Sequence, residues 1–119
     1  MKFVMLVYLD QKKFAALPKE DQERIHRECT AWHDDLVKRG KSSGATGLQA
    51  ASAGKTLRER AGKVAITDGP YAETKEVLGG FEALECADLE EAVAISRTFP
   101  GLRGDCSVEV RPVVPGNKC

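Results

Sequence analysis

Thr67-Asp68-Gly69-Pro70-Tyr71-Ala72-Glu73-Thr74-Lys75-Glu76 places a forced turn and a cluster of ionisable and hydroxylated side chains between two apolar runs. Gly69 admits unusual dihedrals but is restricted by the proline after it, and Pro70 has no amide proton, so a paired strand cannot continue through Asp68-Gly69-Pro70. Upstream, Lys55–Arg60 and Lys63–Thr67 are short alternating runs around Ala61-Gly62, which predicts a hairpin leading into the turn. Downstream, Val77–Cys86 reads as a strand and as the second half of a further hairpin. Its Gly79-Gly80 pair permits a bulge or a close backbone approach.

Working outward, Lys2–Leu9 is apolar on both parities, the pattern of a mid-sheet strand covered on both faces. A loop is expected over Asp10–Leu17. Pro18 and the acidic Glu20, Asp21 and Glu23 then open a helix whose seam is Ile25, Cys29, Trp32 and Leu36, stopped at Gly40. Gly40–Gly54 is small and polar, with a short edge strand at Thr46–Ala50. Asp88 with Glu91 resembles a capping box, and Leu89, Ala92, Val93, Ser96 and Phe99 form the inward face of a second helix ended by Pro100-Gly101. Cys106–Arg111 alternates strictly, which makes it a half-buried closing strand. The order is that of an α+β, ferredoxin-like split βαβ domain. It occupies residues 1–114, with a loose tail at 115–119. Two helices cover one face of such a sheet. The doubly apolar first strand then asks for a second cover, and a homodimer packed sheet to sheet supplies it.

Composition narrows the function classes. The 119 residues hold 18 Lys+Arg and 18 Asp+Glu, so no net field attracts nucleic acid or an anionic membrane. The apolar N-terminal run is too short to span a bilayer and lacks a cleavage-site pattern, and a cytoplasmic location is expected. Cys29, Cys86, Cys106 and Cys119 are scattered without metal-ligand spacing, so no disulfide framework, metal or cofactor is expected. The first three read as small apolar residues, and Cys119 as an exposed idle thiol.

Candidate chemistry gathers around the opening stretch. Asp68 can accept a proton or orient an imidazole, and His26 and His33, seven apart on one flank of the first long helix, are the imidazoles available. Tyr71 and Lys75 are donors to an anion and Glu73 a second acid or base, while Tyr8 and Arg111 lie on strands able to line the same cleft. The bland alternative is that Asp68 caps its own turn, that Glu73, Lys75 and Glu76 make a surface ion network, and that both histidines sit on a solvated flank.

The opening stretch, followed by Leu78-Gly79-Gly80-Phe81, resembles the signature of the DGPF-type branch of the YCII-related (YciI-like) family, with Tyr71 in place of the motif's Phe. Lys2–Leu9, Gly47-Leu48-Gln49 and Val108–Pro112 resemble that family's opening, middle and closing segments. The resemblance implies a dimeric α+β barrel. It also implies two functional expectations. One is a lyase- or hydrolase-type enzyme using Asp68 with a nearby His or Tyr on a small polar or aromatic substrate. The other is a non-catalytic ligand-binding or regulatory module associated with extracytoplasmic-function sigma factors. In relatives with a His-Asp pair, the His corresponds roughly to Cys29 of this chain, not to His26 or His33.

Overall fold

The computed structural model describes residues 1–117, so Cys119 and the end of the expected tail lie outside the described residues. Among the described residues, six strands and three α-helices follow in the order β1 (Lys2–Leu9), α1 (Gln11–Ala16), α2 (Lys19–Lys38), β2 (Ser42–Gly47), β3 (Lys55–Arg60), β4 (Lys63–Asp68), β5 (Val77–Glu85), α3 (Leu89–Ser96) and β6 (Ser107–Pro112). Four strands form one antiparallel sheet in the order β2-β5-β1-β6, while β3 and β4 pair only with each other. Strand β1 is central, as its double apolar parity requires. The sheet order and the two helices give the expected ferredoxin-like α+β fold, with the β3/β4 ribbon inserted between β2 and β5.

Register separates the two faces of the sheet. Phe3 lies opposite Leu84 and Pro112, and Met5 opposite Glu82 and Val110, so these residues share one face. That face receives Leu36 from α2 and Ala92 and Ile95 from α3, and together with Cys86 they form the buried core. Phe3, Met5, Leu36 and Leu84 are each 1% exposed. Burying side chains of this size is worth about 1.5–3 kcal/mol apiece, which is what holds both helices to the same side. Val4, Leu6 and Tyr8 point to the other face, which no helix covers, and all three are only half-buried.

Several elements depart from the sequence reading. Asp10 begins a helix rather than a loop: its carboxylate accepts from the Lys12 and Lys13 amides and caps α1. The edge strand is β2, four residues upstream of the expected start, and it rather than β4 pairs antiparallel with β5. The inward face of α3 is Ala92, Ile95 and Ser96, continued by Phe99, while Leu89 and Val93 stay exposed. Ile95, Ser96 and Phe99 follow Ala92 on one helical stripe and Val93 falls off it, while Leu89, three residues before Ala92, is the first residue of the helix and stays exposed. Asp88 does cap α3 through the Glu91 amide, but the Glu91 carboxylate accepts from the Ala87 N–H and so reaches one residue further back than a capping box does.

Two glycine-dependent details were legible beforehand. The Ala61-Gly62 turn has positive φ at both residues (51° and 80°), the geometry a tight two-residue hairpin demands. On β5, Gly79 is the unpaired residue of a bulge, since Val7 faces Gly80 and Tyr8 faces Leu78. A Cβ on Gly80 would sit 2.8 Å from the Thr46 carbonyl oxygen, so only glycine lets β2 approach there.

Candidate active site

A cleft of about 380 Å³ opens between α2 and the end of the sheet where β2 and β5 meet. Helix α2 supplies His26, Cys29, Thr30, Trp32 and His33, which recur at helical spacing and so project from one side of it. The floor is Met5 and Val7 of β1, Ala45–Gly47 of β2 and Gly79–Glu82 of β5. Phe99 closes one wall. Its ring meets Trp32 edge-on with centroids 5.2 Å apart, and the Trp32 indole N–H donates to Thr98 Oγ1 at 2.7 Å. These contacts fix a large aromatic surface along the cleft.

The polar centre of the cleft is His33 with Glu82. His33 Nδ1 lies 2.6 Å from Glu82 Oε2, and the Ser42 hydroxyl donates to the same carboxylate oxygen. Glu82 is 4% exposed, one of the few charged or polar residues buried in the chain. A carboxylate only accepts, so the imidazole donates through Nδ1 and, when neutral, keeps its lone pair on Nε2 for the cleft. Two donors on one oxygen hold the carboxylate in place, and the carboxylate in turn sets the ring's tautomer and orientation. This is the arrangement of a general base with its orienting acid.

Other nominated residues do not converge on this point. Asp68 is paired with Lys55 Nζ at 2.5 Å at the base of the β3/β4 ribbon, with 85% of its side chain exposed. The expected Asp68–imidazole pair is therefore not formed: His33 has Glu82, and His26 meets the Phe14 ring edge-on 5.9 Å away. Tyr71 is 76% exposed and lies under the Arg58 guanidinium, 4.8 Å from ring centroid to carbon. Tyr8 sits on the open sheet face, where its hydroxyl donates to Glu109 Oε1 at 3.3 Å and burial, followed by the Glu109 charge, raises its pKa. Lys75 shares a separate depression with Tyr8, Glu76 and Ser107, whose hydroxyl donates to Glu76. Glu73 and Arg111 are exposed and line neither hollow. The single cleft expected to join Asp68, Tyr8 and Arg111 is thus three places, because β4 belongs to the ribbon while β1 and β6 belong to the sheet.

Glu82 and Ser42 are the members that sequence reasoning missed. The signal for Glu82 was present: Gly80, Glu82, Leu84 and Cys86 share a parity, and that parity is the buried one. A lone carboxylate on a core-facing parity must have a partner, and the helix packed over it carries a histidine. Nothing in the polar run around Ser42 distinguishes it from Ser43.

Burial raises the pKa of the Cys29 thiol in the cleft wall, as it does for Cys86 and Cys106, so all three remain protonated and behave as the apolar residues expected of them. Among the described residues, no group of three or more His, Cys, Asp or Glu is placed to hold a metal ion, and no helix is long and apolar enough to cross a membrane.

The family model described as the YCII-related domain matches residues 1–117, so the chain belongs to that family. An uncharacterized protein of Rhizobium meliloti (strain 1021) is 38% identical over 114 residues, covering 95% of this chain and 92% of that one. Among solved structures, the chain is similar to the 5-chloro-2-hydroxyhydroquinone dehydrochlorinase of Burkholderia phenoliruptrix in complex with 2,5-dihydroxybenzoquinone. The TM-score is 0.55 at 15% identity, over 98% of this chain and 96% of that one. At that identity the likeness is one of fold.

Proposed function

We propose that this member of the YCII-related family is a small lyase-type enzyme, with His33 as general base and Glu82 as the residue that orients it, acting on a small hydroxylated ring. The observation that carries the reading is the 2.6 Å contact between His33 Nδ1 and a carboxylate buried at the floor of an aromatic-walled cleft. Isolating a carboxylate from water is costly, and a histidine whose second nitrogen faces a cavity gives that cost a chemical use. The fold neighbour named as a dehydrochlorinase with a bound benzoquinone supports the substrate class. In such an elimination the ring takes up a proton at the carbon that bears the leaving group as one ring hydroxyl loses its proton and becomes a carbonyl; Nε2 takes the proton of a second, conjugated ring hydroxyl, whose O–H pair becomes part of a second carbonyl while the leaving group departs with its bonding pair as an anion. Trp32 and Phe99 offer flat apolar surface to the ring, and the Thr30 hydroxyl offers a polar contact at its rim.

The test is halide or other leaving-group release from a panel of hydroxylated aromatic rings, together with calorimetric binding. His33→Gln should keep binding and lose turnover by about 100-fold or more, the usual contribution of a positioned base. Binding without turnover in the unaltered chain would favour the non-catalytic module. A His33→Gln variant as active as the parent would dismiss the mechanism.

A further inference from the structure

The cleft holds a second imidazole that the pairing of His33 with Glu82 leaves unused. His26 and His33 both line it, and seven residues of α-helix turn through about 700° and rise about 10.5 Å, so the two side chains leave α2 within roughly 20° of each other. Their surroundings differ. His33 is held by a buried carboxylate, whereas the His26 ring is exposed and meets the Phe14 ring edge-on, with centroids 5.9 Å apart and an interplanar angle of 85°. Phe14 is itself placed: the Gln22 side-chain amide ties α1 back to α2 by donating to the Leu17 carbonyl at 3.0 Å. An edge-on ring contact orients the imidazole without consuming a nitrogen lone pair.

The elimination proposed above moves two hydroxyl protons, and Nε2 of His33 takes one of them. The hydroxyl that ionises as the leaving group departs stands meta to the carbon bearing that group, because its electrons reach the carbon through one ring double bond. The hydroxyl that gives way to a ring C–H stands ortho or para to the same carbon. The two hydroxyls are therefore para to one another, as in a halohydroquinone, or adjacent, as in a 4-halocatechol. Only the para pair spans the two histidines. After one hydrogen bond of about 2.8 Å at each end, an interval of about 10.5 Å leaves roughly 5 Å, the separation of oxygens at opposite ends of a six-membered ring.

We propose, resting on that reading of His33, that His26 is a second catalytic residue, which binds and deprotonates the far hydroxyl and makes the site selective for para-dihydroxylated rings. The step balances. His26 takes the hydroxyl proton, the O–H pair becomes the new carbonyl bond, and the displaced ring π pair takes the same proton back from the imidazolium onto the neighbouring carbon, which bears the leaving group. His26 ends as it began, and the ring is a keto isomer of itself. His33 then takes the second hydroxyl proton as the leaving group departs with its bonding pair. In a 4-halocatechol the carbon to be protonated lies across the ring from the first hydroxyl, out of reach of the same imidazole.

Chloride release from chlorohydroquinone and from 4-chlorocatechol, measured without oxygen, tests this. The unaltered chain should turn over the first with kcat/KM about 100-fold or more above the second. His26→Gln keeps a hydrogen-bonding group, so KM for chlorohydroquinone should stay within about twofold while kcat falls about 100-fold; His26→Phe should lose kcat and raise KM as well. Both variants should keep native far-UV circular dichroism, because His26 is exposed. A chain that treats the two isomers alike, or prefers the catechol, overturns the inference and leaves the His33 mechanism standing. So does a His26→Gln chain as active as the parent beside an inactive His33→Gln chain. Release of chloride from neither ring overturns both.

Discussion

Glu82 and Asp68 are both carboxylates on strands, and they occupy opposite environments. Glu82 lies in the middle of a sheet under a helix, 4% exposed, with His33 and Ser42 bound to it. Asp68 lies at the end of an uncovered ribbon, its side chain 85% exposed, with Lys55 as partner. Both contacts are short, yet water screens and competes with the second and is nearly excluded from the first. Asp68 belongs to the stretch that carries the sequence resemblance, and Glu82 to a strand that looks ordinary. The difference shows that environment, more than prominence in the sequence, decides whether a carboxylate has chemical leverage.

The contrast can be broken or sharpened by substitution. The largest effect should come from the apolar floor beside Glu82: Leu84→Ala removes a side chain 1% exposed and should cost about 3 kcal/mol in urea-monitored unfolding. A loss under about 1 kcal/mol would mean that the helix-covered face is less tightly packed than its burial indicates. Next is Glu82→Ala, which strands the His33 and Ser42 donors and should cost about 2 kcal/mol. If Glu82→Ala proves neutral, the difference between the two carboxylates disappears.

A smaller effect should appear only in acid. The Ala87 N–H and then the Lys41 ammonium lower the pKa of Glu91 below the usual glutamate range. A lowered folded pKa means that the unfolded chain binds the proton more readily. The Glu91 contribution is therefore complete above the ordinary glutamate pKa and is lost as pH falls through the folded value. Glu91→Gln should flatten that acid limb of the stability curve and leave the neutral region nearly flat. An unchanged slope would show that the pair with Lys41 is not formed in solution. The smallest effect is expected at Asp68→Ala, within about 0.5 kcal/mol, as for exposed ion pairs generally. A loss matching that of Glu82→Ala would place Asp68 in a buried contact.

Much of this molecule could be read from local pattern. The double parity of Lys2–Leu9 foretold a central strand, Ala61-Gly62 a tight hairpin, and Gly79-Gly80 both a bulge and a close approach, because each depends on backbone rules acting over a few residues. The inward face of α3 was read one step off, since Leu89 and Val93 are as apolar as Ile95 and only packing chose among them. The partner of β5 was misassigned for a related reason. Proximity in sequence favoured β4, whereas the open flank of β5 went to β2, with Gly80 clearing the way.

By itself the sequence determined the fold class, the order of its elements apart from α1, and the two histidines as the available imidazoles, which follow from periodicity, turn chemistry and residue type, and its motif pointed to the family. Only the tertiary structure decided which carboxylate His33 meets. Residues 49 positions apart are brought to 2.6 Å by packing α2 across β5, a consequence of burying Leu36 against Leu84 and Met5 that no local spacing encodes.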